Sequence, residues 1–372
     1  MKSLDDGSLG RGVTRGLYQP MEVDVPSKTG VLTKEVQKPS AATKPIATTN
    51  LVVTGLFAGV GGLEEGFRQA GYRSTMLCES DPLARYLLGK HFPDAEITTN
   101  VTALTGLPDC DVVTAGFPCQ DLSQVGRRKG ITGPQSGLIE SVFGLLRRQT
   151  KSLRWVVLEN VPFMLNLDRG RAIRTVTCAL EELGYSWAYR TINAHAFGLP
   201  QRRRRVILIA SKTHDPRPVL LHSDAKAPKV PTRGPHACGF YWTEGNTGLG
   251  WAVDSVPPLK GGSALHIPSP PAIWFPRRRL IAMPAIEDAE RLQGFNAGWT
   301  DVSEEDPKGA RKRWRMIGNA VSVPMAKWIA ERLSAPVAEF QVEQSQDLPT
   351  EGSWPSAAWG HQGKRGRSDV SE

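Results

Sequence analysis

The sequence predicts an α/β protein: a mostly parallel, doubly wound sheet carrying a second, smaller domain of irregular β and loop structure. Three observations lead there. From Leu51 to Ala210, short runs of β-branched and apolar residues alternate with segments of helical period, the rhythm of a parallel sheet wrapped by helices. The first run passes into a glycine-rich turn, GLFAGVGGLEEG from Gly55 to Gly66, that opens a helix. Between Ser211 and Pro276 the chain turns to prolines, glycines and aromatics (FYWTEG, LGWAV, IWF) without helical period, which marks a separate module of short strands and loops.

Strands are read at LVVTGLFAG from Leu51, STMLCES from Ser74, DVVTAGF from Asp111, WVVLENV from Trp155, WAYRTINA from Trp187 and RVILIA from Arg205. Continuous apolar runs of this kind fit strands buried on both faces. Helices are read over Leu63–Gln69, Pro82–His91, Leu138–Arg148 and Arg171–Leu183, where apolar residues recur three and four apart. Helical patterning returns at Ile286–Leu292 and at Pro324–Leu333, whose proline suits a first helical turn. Residues 1–49, rich in Gly, Pro, Thr, Lys and Ser, read as a disordered arm. The expected organisation is then a sheet domain over 50–210, the irregular module over 211–276, a return to the sheet domain over 277–335, and a polar tail over 336–372.

Composition narrows the function classes. The 372-residue chain carries 46 Lys plus Arg against 37 Asp plus Glu, a formal net charge of +9, with 40% hydrophobic residues, enough for a sizeable core. The positive excess is clustered at Arg127–Lys129, Arg202–Arg205, Arg277–Arg279 and Arg311–Arg315, which points to a polyanionic partner, nucleic acid first. Five cysteines, at 78, 110, 119, 178 and 238, form no CxxC pair, so neither a metal site nor a disulfide framework is expected, and the compartment is a reducing one. No run reaches the length of a membrane span, and the start MKSLDDGSLGR lacks the apolar core of a secretory signal.

The candidate chemistry sits at strand ends. In DVVTAGFPCQDLSQVG a buried strand and a Gly-Phe-Pro turn deliver Cys119 to the strand's carboxyl end, where open α/β sheets place their sites. Taken alone, Cys119 reads better as a small buried hydrophobe. Its position upstream of Glu159 in WVVLENV and of the tract QRRRRV, Gln201 to Val206, makes a nucleophile, an acid and a cationic clamp. A two-residue strand period puts Gln201, Arg203 and Arg205 on one face of that tract. The glycine turn after the first strand is open to three readings: a nucleoside-binding loop, a dinucleotide loop or a tight structural turn. Glu79, some 20 residues on, suits a ribose diol, and Asn100 and Val101 suit an adenine edge; together they describe an adenosine pocket.

FAGVGG, GFPCQDLS, ENV, PQRRRRV, RLQGF and IGNAV stand in the order and context of the S-adenosylmethionine-dependent DNA (cytosine-5)-methyltransferases, and the chain resembles a bacterial modification enzyme of that family from about residue 51 to 333. The resemblance implies a Rossmann-like methyltransferase fold, S-adenosyl-L-methionine as cofactor and double-stranded DNA as partner. It implies Cys119 as nucleophile, Glu159 as ring acid and Arg205 as the base-contacting arginine, and Arg203, on the same expected face of the tract, joins them as a catalytic candidate. Cofactor contacts fall to Phe57, Gly59, Gly61, Gly62, Glu79, Ser80, Asn100, Val101, Pro118, Asn319 and Ala320. DNA contacts fall to Gln120, Ser123, Arg127, Arg128, Lys129 and Gln201, and the 211–276 module is the expected target-recognition region. A monomer in a bacterial cytoplasm, on nucleoid DNA, with a possible cognate restriction endonuclease, completes the expectation. Gly55 stands where the family commonly has an aspartate before LFAG, and Asn100 where it commonly has another.

The chemistry that the resemblance implies can be argued beside it. Carbon 5 of cytosine becomes nucleophilic only after something adds at carbon 6, and a thiolate is the natural adduct former. A thiol of pKa about 8.5 is little ionised at neutral pH, so cations such as Arg127, Arg128 and Lys129 are asked to favour its anion. The density that addition places on the ring is met by a carboxylic acid, and Glu159 is so placed. Carbon 6 is inaccessible in a stacked duplex, so the base has to be swung out. Two other whole-protein readings share the motifs. A tRNA cytosine methyltransferase is one, although that branch carries a Cys-Phe-Thr element absent here; a catalytically silent DNA-binding protein is the other.

Overall fold

The computed structural model describes residues 51–118, 137–149, 151, 153–222, 236–241, 251–260, 270–307, 309–335, 347–349 and 351–370. The expected disordered arm, 1–49, lies outside them. In chain order the first half forms β1 (Val52–Leu56), α1 (Gly62–Gln69), β2 (Arg73–Cys78), α2 (Pro82–His91), β3 (Glu96–Thr98), β4 (Val112–Ala115), α3 (Gly137–Arg148), β5 (Trp155–Asn160), α4 (Arg171–Glu182), β6 (Ser186–Asn193) and β7 (Arg204–Ser211). The second half forms the short α5 (Arg217–Leu220), β8 (Cys238–Phe240), β9 (Ala252–Val253), β10 (Ala272–Phe275), β11 (Leu280–Ala282), α6 (Ile286–Leu292), α7 (Ala310–Asn319), α8 (Val323–Ser334), β12 (Ala357–His361) and β13 (Lys364–Arg367).

Among the described residues, nine strands make one sheet in the order β13-β12-β6-β7-β5-β4-β1-β2-β3. The pairs β1–β2, β1–β4, β2–β3 and β4–β5 are parallel. The pairs β5–β7, β6–β7, β12–β6 and β12–β13 are antiparallel, so β7 and β12 alone run against the rest. Both faces are covered, and the pleat sorts neighbouring side chains between them. Val113 and Val156 face the layer of α3 and α4 with Phe143, Ile173 and Leu180. Val112 and Val157 face α1 and α8 with Phe67, Met325 and Ile329. A third cluster joins α2 to α6 and α7 through Leu87, Phe295, Trp299 and Ile317.

The second sheet, β11-β10-β8-β9, is small and wholly antiparallel. It reaches Ala282, past the expected module boundary at 276, because β11 pairs with β10 across the turn Pro276–Arg279. The expected C-terminal tail also needs correction. β12 pairs with β6, and Ala357, Ala358 and Trp359 are buried, so residues 357–367 complete the large sheet instead of trailing from it. Without them β6 would present an open edge, a liability for any sheet. Sequence patterning does not mark α7 as a helix, since ARKRWRMIGN is dominated by charge; its buried residues Met316 and Ile317 pack with α2.

Candidate active site

After β1 the chain winds through β2 and β3 on one side and then crosses to β4 on the other. The carboxyl ends of β1 and β4 therefore form a topological switch point, where open α/β sheets bind ligands. A cleft of about 240 Å³ lies there. Phe57, Gly59, Glu79, Ser80, Pro118, Glu159, Asn319 and Ala320 line it together, joined by Asp81, Gly116, Arg315 and Met316. Expected residues from well-separated stretches of chain thus meet at one place.

The turn after β1 is held in an unusual shape. Phe57 has φ 57°, a left-handed conformation costly for a non-glycine residue and characteristic of functional sites. Glu79 binds the turn through its carboxylate, which accepts hydrogen bonds from the Gly59 N–H at 2.8 Å and the Asp81 N–H at 2.8 Å. The Trp299 indole N–H donates to the Val60 carbonyl at 2.8 Å. Gly61 and Gly62 shape the cleft without lining it. Gly61 caps α1 with φ 82°, and a Cβ on Gly62 would stand 2.3 Å from the Val321 carbonyl oxygen, so only glycine lets α1 start there.

Asn100 and Val101 fall elsewhere than expected. The Asn100 side-chain oxygen accepts from the Thr102 N–H at 2.9 Å and the Thr102 hydroxyl at 2.8 Å, capping a short 3₁₀ turn at an exposed position. Val101 is buried in the core. Neither lines the cleft.

At the β5 end, the Arg205 Nε lies 2.8 Å from Glu159 Oε1, and both side chains are almost enclosed. Burial lowers the Arg205 pKa from its ordinary value, while the neighbouring carboxylate works in the opposite sense. Asn160 donates from its side-chain amide to the Phe117 carbonyl at 3.0 Å and so fixes the Gly116–Pro118 turn. Cys119, Gln120, Ser123, Arg127, Arg128 and Lys129 lie outside the described residues; the described stretch that leads to them ends at Pro118, on the cleft wall.

Gln201 and Arg203 precede β7, which begins at Arg204. Gln201, expected at DNA, is buried; its amide donates to the Leu292 carbonyl at 2.9 Å and its oxygen accepts from the Leu259 N–H at 3.2 Å. Arg203, expected at the base, is also buried and donates to the carbonyls of Leu259 at 3.3 Å, Gly318 at 3.0 Å and Ala320 at 2.8 Å. It ties the segment after β9 to the end of α7, on either side of Asn319.

A family model described as C-5 cytosine-specific DNA methylase matches residues 51–237. The chain is also 47% identical over 332 residues to the Type II methyltransferase M2.BsuMI of Bacillus subtilis (strain 168), covering 86% of this chain and 84% of that protein. This chain belongs to the C-5 cytosine-specific DNA methylase family. It is 33% identical over 178 residues to the Type II methyltransferase M.MspI of Moraxella sp, covering 45% of this chain and 42% of that protein. A crystal structure of S. pombe Dnmt2 methyltransferase superposes with a TM-score of 0.59 at 16% identity, covering 76% of this chain and 98% of that one, a likeness that bears on the fold.

The methylase is accordingly an enzyme of DNA cytosine-5 methylation, with a methyl donor implied by the reaction. Among the described residues, no helix is long and apolar enough to cross a membrane and no cluster of three or more His, Cys, Asp or Glu could hold a metal ion. Sequence reasoning missed Asp81 and Arg315, whose side chains meet at 2.6 Å on the cleft rim. The Asp-Pro pair opening α2 signals Asp81 as a helix cap, which it is. Arg315 has no local signal; only packing of α7 against α2 selects it from its basic run.

Proposed function

We propose that this methylase transfers the methyl group of S-adenosylmethionine to carbon 5 of a cytosine swung out of a specific duplex sequence, as the modification partner of a restriction system. The observation that carries the reading is the meeting of three things at one edge of the sheet, where β1, β4 and β5 end: the cleft, the Glu159–Arg205 pair and the Pro118 turn that leads into Cys119. The cleft suits the donor. Glu79 keeps a carboxylate at its wall, and a Cβ on Gly59 would meet nothing within 4 Å, so the backbone there faces open space that a ligand can approach. S-adenosylmethionine supplies, when bound, an electrophilic methyl group. The protein's own residues do the rest: the Cys119 sulfur adds to carbon 6, Glu159 exchanges a proton at the ring, and Arg205 holds the Glu159 carboxyl in place. After methyl transfer, loss of the carbon 5 proton and release of the sulfur restore the base.

The small sheet supports the target-recognition role. Phe240, Trp251 and Trp274 form an aromatic row, with centroids 5.3 and 6.0 Å apart, and Trp251, Trp274, Leu280, Ile281 and Met283 are all exposed. The turn of the β10–β11 hairpin carries the basic run Arg277, Arg278 and Arg279. A two-stranded ribbon fits the major groove, where apolar side chains meet thymine methyl groups and arginines meet guanine or phosphate. Replacing Arg277–Arg279 by alanine weakens DNA binding and lowers the slope of log affinity against log salt by about 0.9 for each phosphate that is no longer neutralised. An unchanged slope removes the turn from the interface. The proposal further includes action as a monomer on nucleoid DNA in a bacterial cytoplasm, beside an endonuclease that cuts the same site.

Bisulfite sequencing of DNA from cells expressing the protein tests activity and site together. The expected result is one recurrent sequence context with a protected cytosine. Protection absent throughout, or spread without context, would overturn the proposal.

A further inference from the structure

One buried acid lies outside the chemistry described above. Glu64, in the first turn of α1, is 1% exposed. Its Oε1 accepts from the Thr114 hydroxyl at 3.1 Å, and its Oε2 is buried without a hydrogen-bond partner. The carboxyl fills the space over Gly55, where a Cβ would stand 2.3 Å from Oε1. Gly55 and Thr114 pair across β1 and β4, so Glu64 is wedged against the two strands whose ends frame the cleft. The preceding residue, Leu63, lines that cleft.

We propose that Glu64 is a positioning residue for the methyl-donor cleft: as the neutral acid it occupies the hollow over Gly55 and holds the turn from Phe57 to Gly61 in the shape that takes the donor. The proposal rests on the donor reading given above. A neutral carboxyl suits a site with one bonded and one unbonded oxygen, whereas a carboxylate there is a buried charge with no ion-pair partner among the described residues. Burial pushes the Glu64 pKa up to about 7; hydrogen bonds from its own backbone N–H and from Thr114 oppose the rise, and the Glu79 charge adds to it.

The surrounding charges are few. β1 and β4 contribute no titratable side chain. β2 contributes Arg73 and Cys78, with Glu79 just beyond its end, and α8 contributes Lys327, Glu331 and Arg332. On α1 itself Glu65 and Arg68 are paired to each other. When Glu64 ionises, its charge opposes Glu79, the carboxylate that anchors Gly59 and Asp81, and the turn loosens.

Calorimetric titration of the full chain with S-adenosylhomocysteine between pH 6 and 8.5 tests this. The unsubstituted protein holds its affinity at the acid end and loses it above about pH 7, by up to about tenfold per pH unit for one linked proton. Glu64→Gln removes that fall. Thr114→Val keeps it but moves it to higher pH, because a hydrogen bond that favours the anion is gone. Superimposable profiles for the three proteins overturn the role of Glu64, while no binding by the unsubstituted chain at any pH removes the donor reading and this role with it.

Ligand-free unfolding provides a measurement independent of the donor. The folded pKa is raised above the unfolded value of about 4.5, so stability is full below that pH, falls as pH rises to about 7 and then levels; Glu64→Gln lacks this fall. Gly55→Ala loses stability, and adding Glu64→Ala restores part of it by vacating the space. Additive losses in the double variant would overturn the packing on which the proposal stands.

Discussion

Replacing Cys119 with serine reduces methyl transfer to DNA by roughly 10⁴-fold or more, the scale seen when the nucleophile of a covalent mechanism is removed. A hydroxyl is far less ionised than a thiol near neutral pH and forms a poorer adduct at an aromatic carbon, so the serine variant cannot raise electron density at carbon 5. Donor binding survives, because the cleft wall is built by Phe57, Glu79, Asn319 and their neighbours. Transfer of a labelled methyl group reads the loss, and equilibrium binding of S-adenosylhomocysteine reads the survival. A duplex carrying 5-fluorocytosine at the modified position traps the wild-type protein as a denaturant-stable adduct, since fluorine does not leave as a proton does. Full turnover by the serine variant, or no trapped adduct on a modified site, would remove Cys119 from the mechanism.

Glu159→Gln lowers kcat by about 10²–10⁴-fold, the usual contribution of a positioned acid or base, and leaves the donor KM within a few-fold. Glutamine preserves the shape of a side chain enclosed at the end of β5 and can still accept from Arg205, so folding is retained. What it lacks is a proton to exchange with the ring. Arg205→Ala is the complementary variant: it leaves Glu159 enclosed without the guanidinium 2.8 Å away and lowers kcat together with thermal stability. Single-turnover rates separate these effects from product release. A Glu159→Gln rate within about threefold of the parent, far short of the usual acid–base contribution, would exclude the carboxyl from proton transfer.

Much of the architecture was legible because the relevant signals are local. The runs at β1, β4 and β5 are largely apolar since both faces of the sheet are covered, and the periods of α2 to α4 record one buried face each. Glu79, Glu159 and Arg205 were legible for a similar reason, as polar residues placed where apolar strands begin or end. Arg203 was not. Its sequence surroundings match those of Arg205, yet one guanidinium turns to the carbonyls of Leu259, Gly318 and Ala320 while the other meets Glu159. Partners from distant parts of the chain, which leave no mark in the tract itself, separate those fates.

The order of the motifs along the chain carried the resemblance to the cytosine-5 methylases, and the family match bears out that reaction class. Which residues meet was decided by chain crossings between β3 and β4 and by the return of α7 and α8, which pack against segments far away along the chain and leave no local pattern. Asp81 finds Arg315 in this way, β6 finds β12, and the Glu64 carboxyl finds the hollow that Gly55 leaves. Local preference and periodicity act over a turn of helix or a few strand residues, whereas a cleft is made by whatever surfaces the packed core brings face to face.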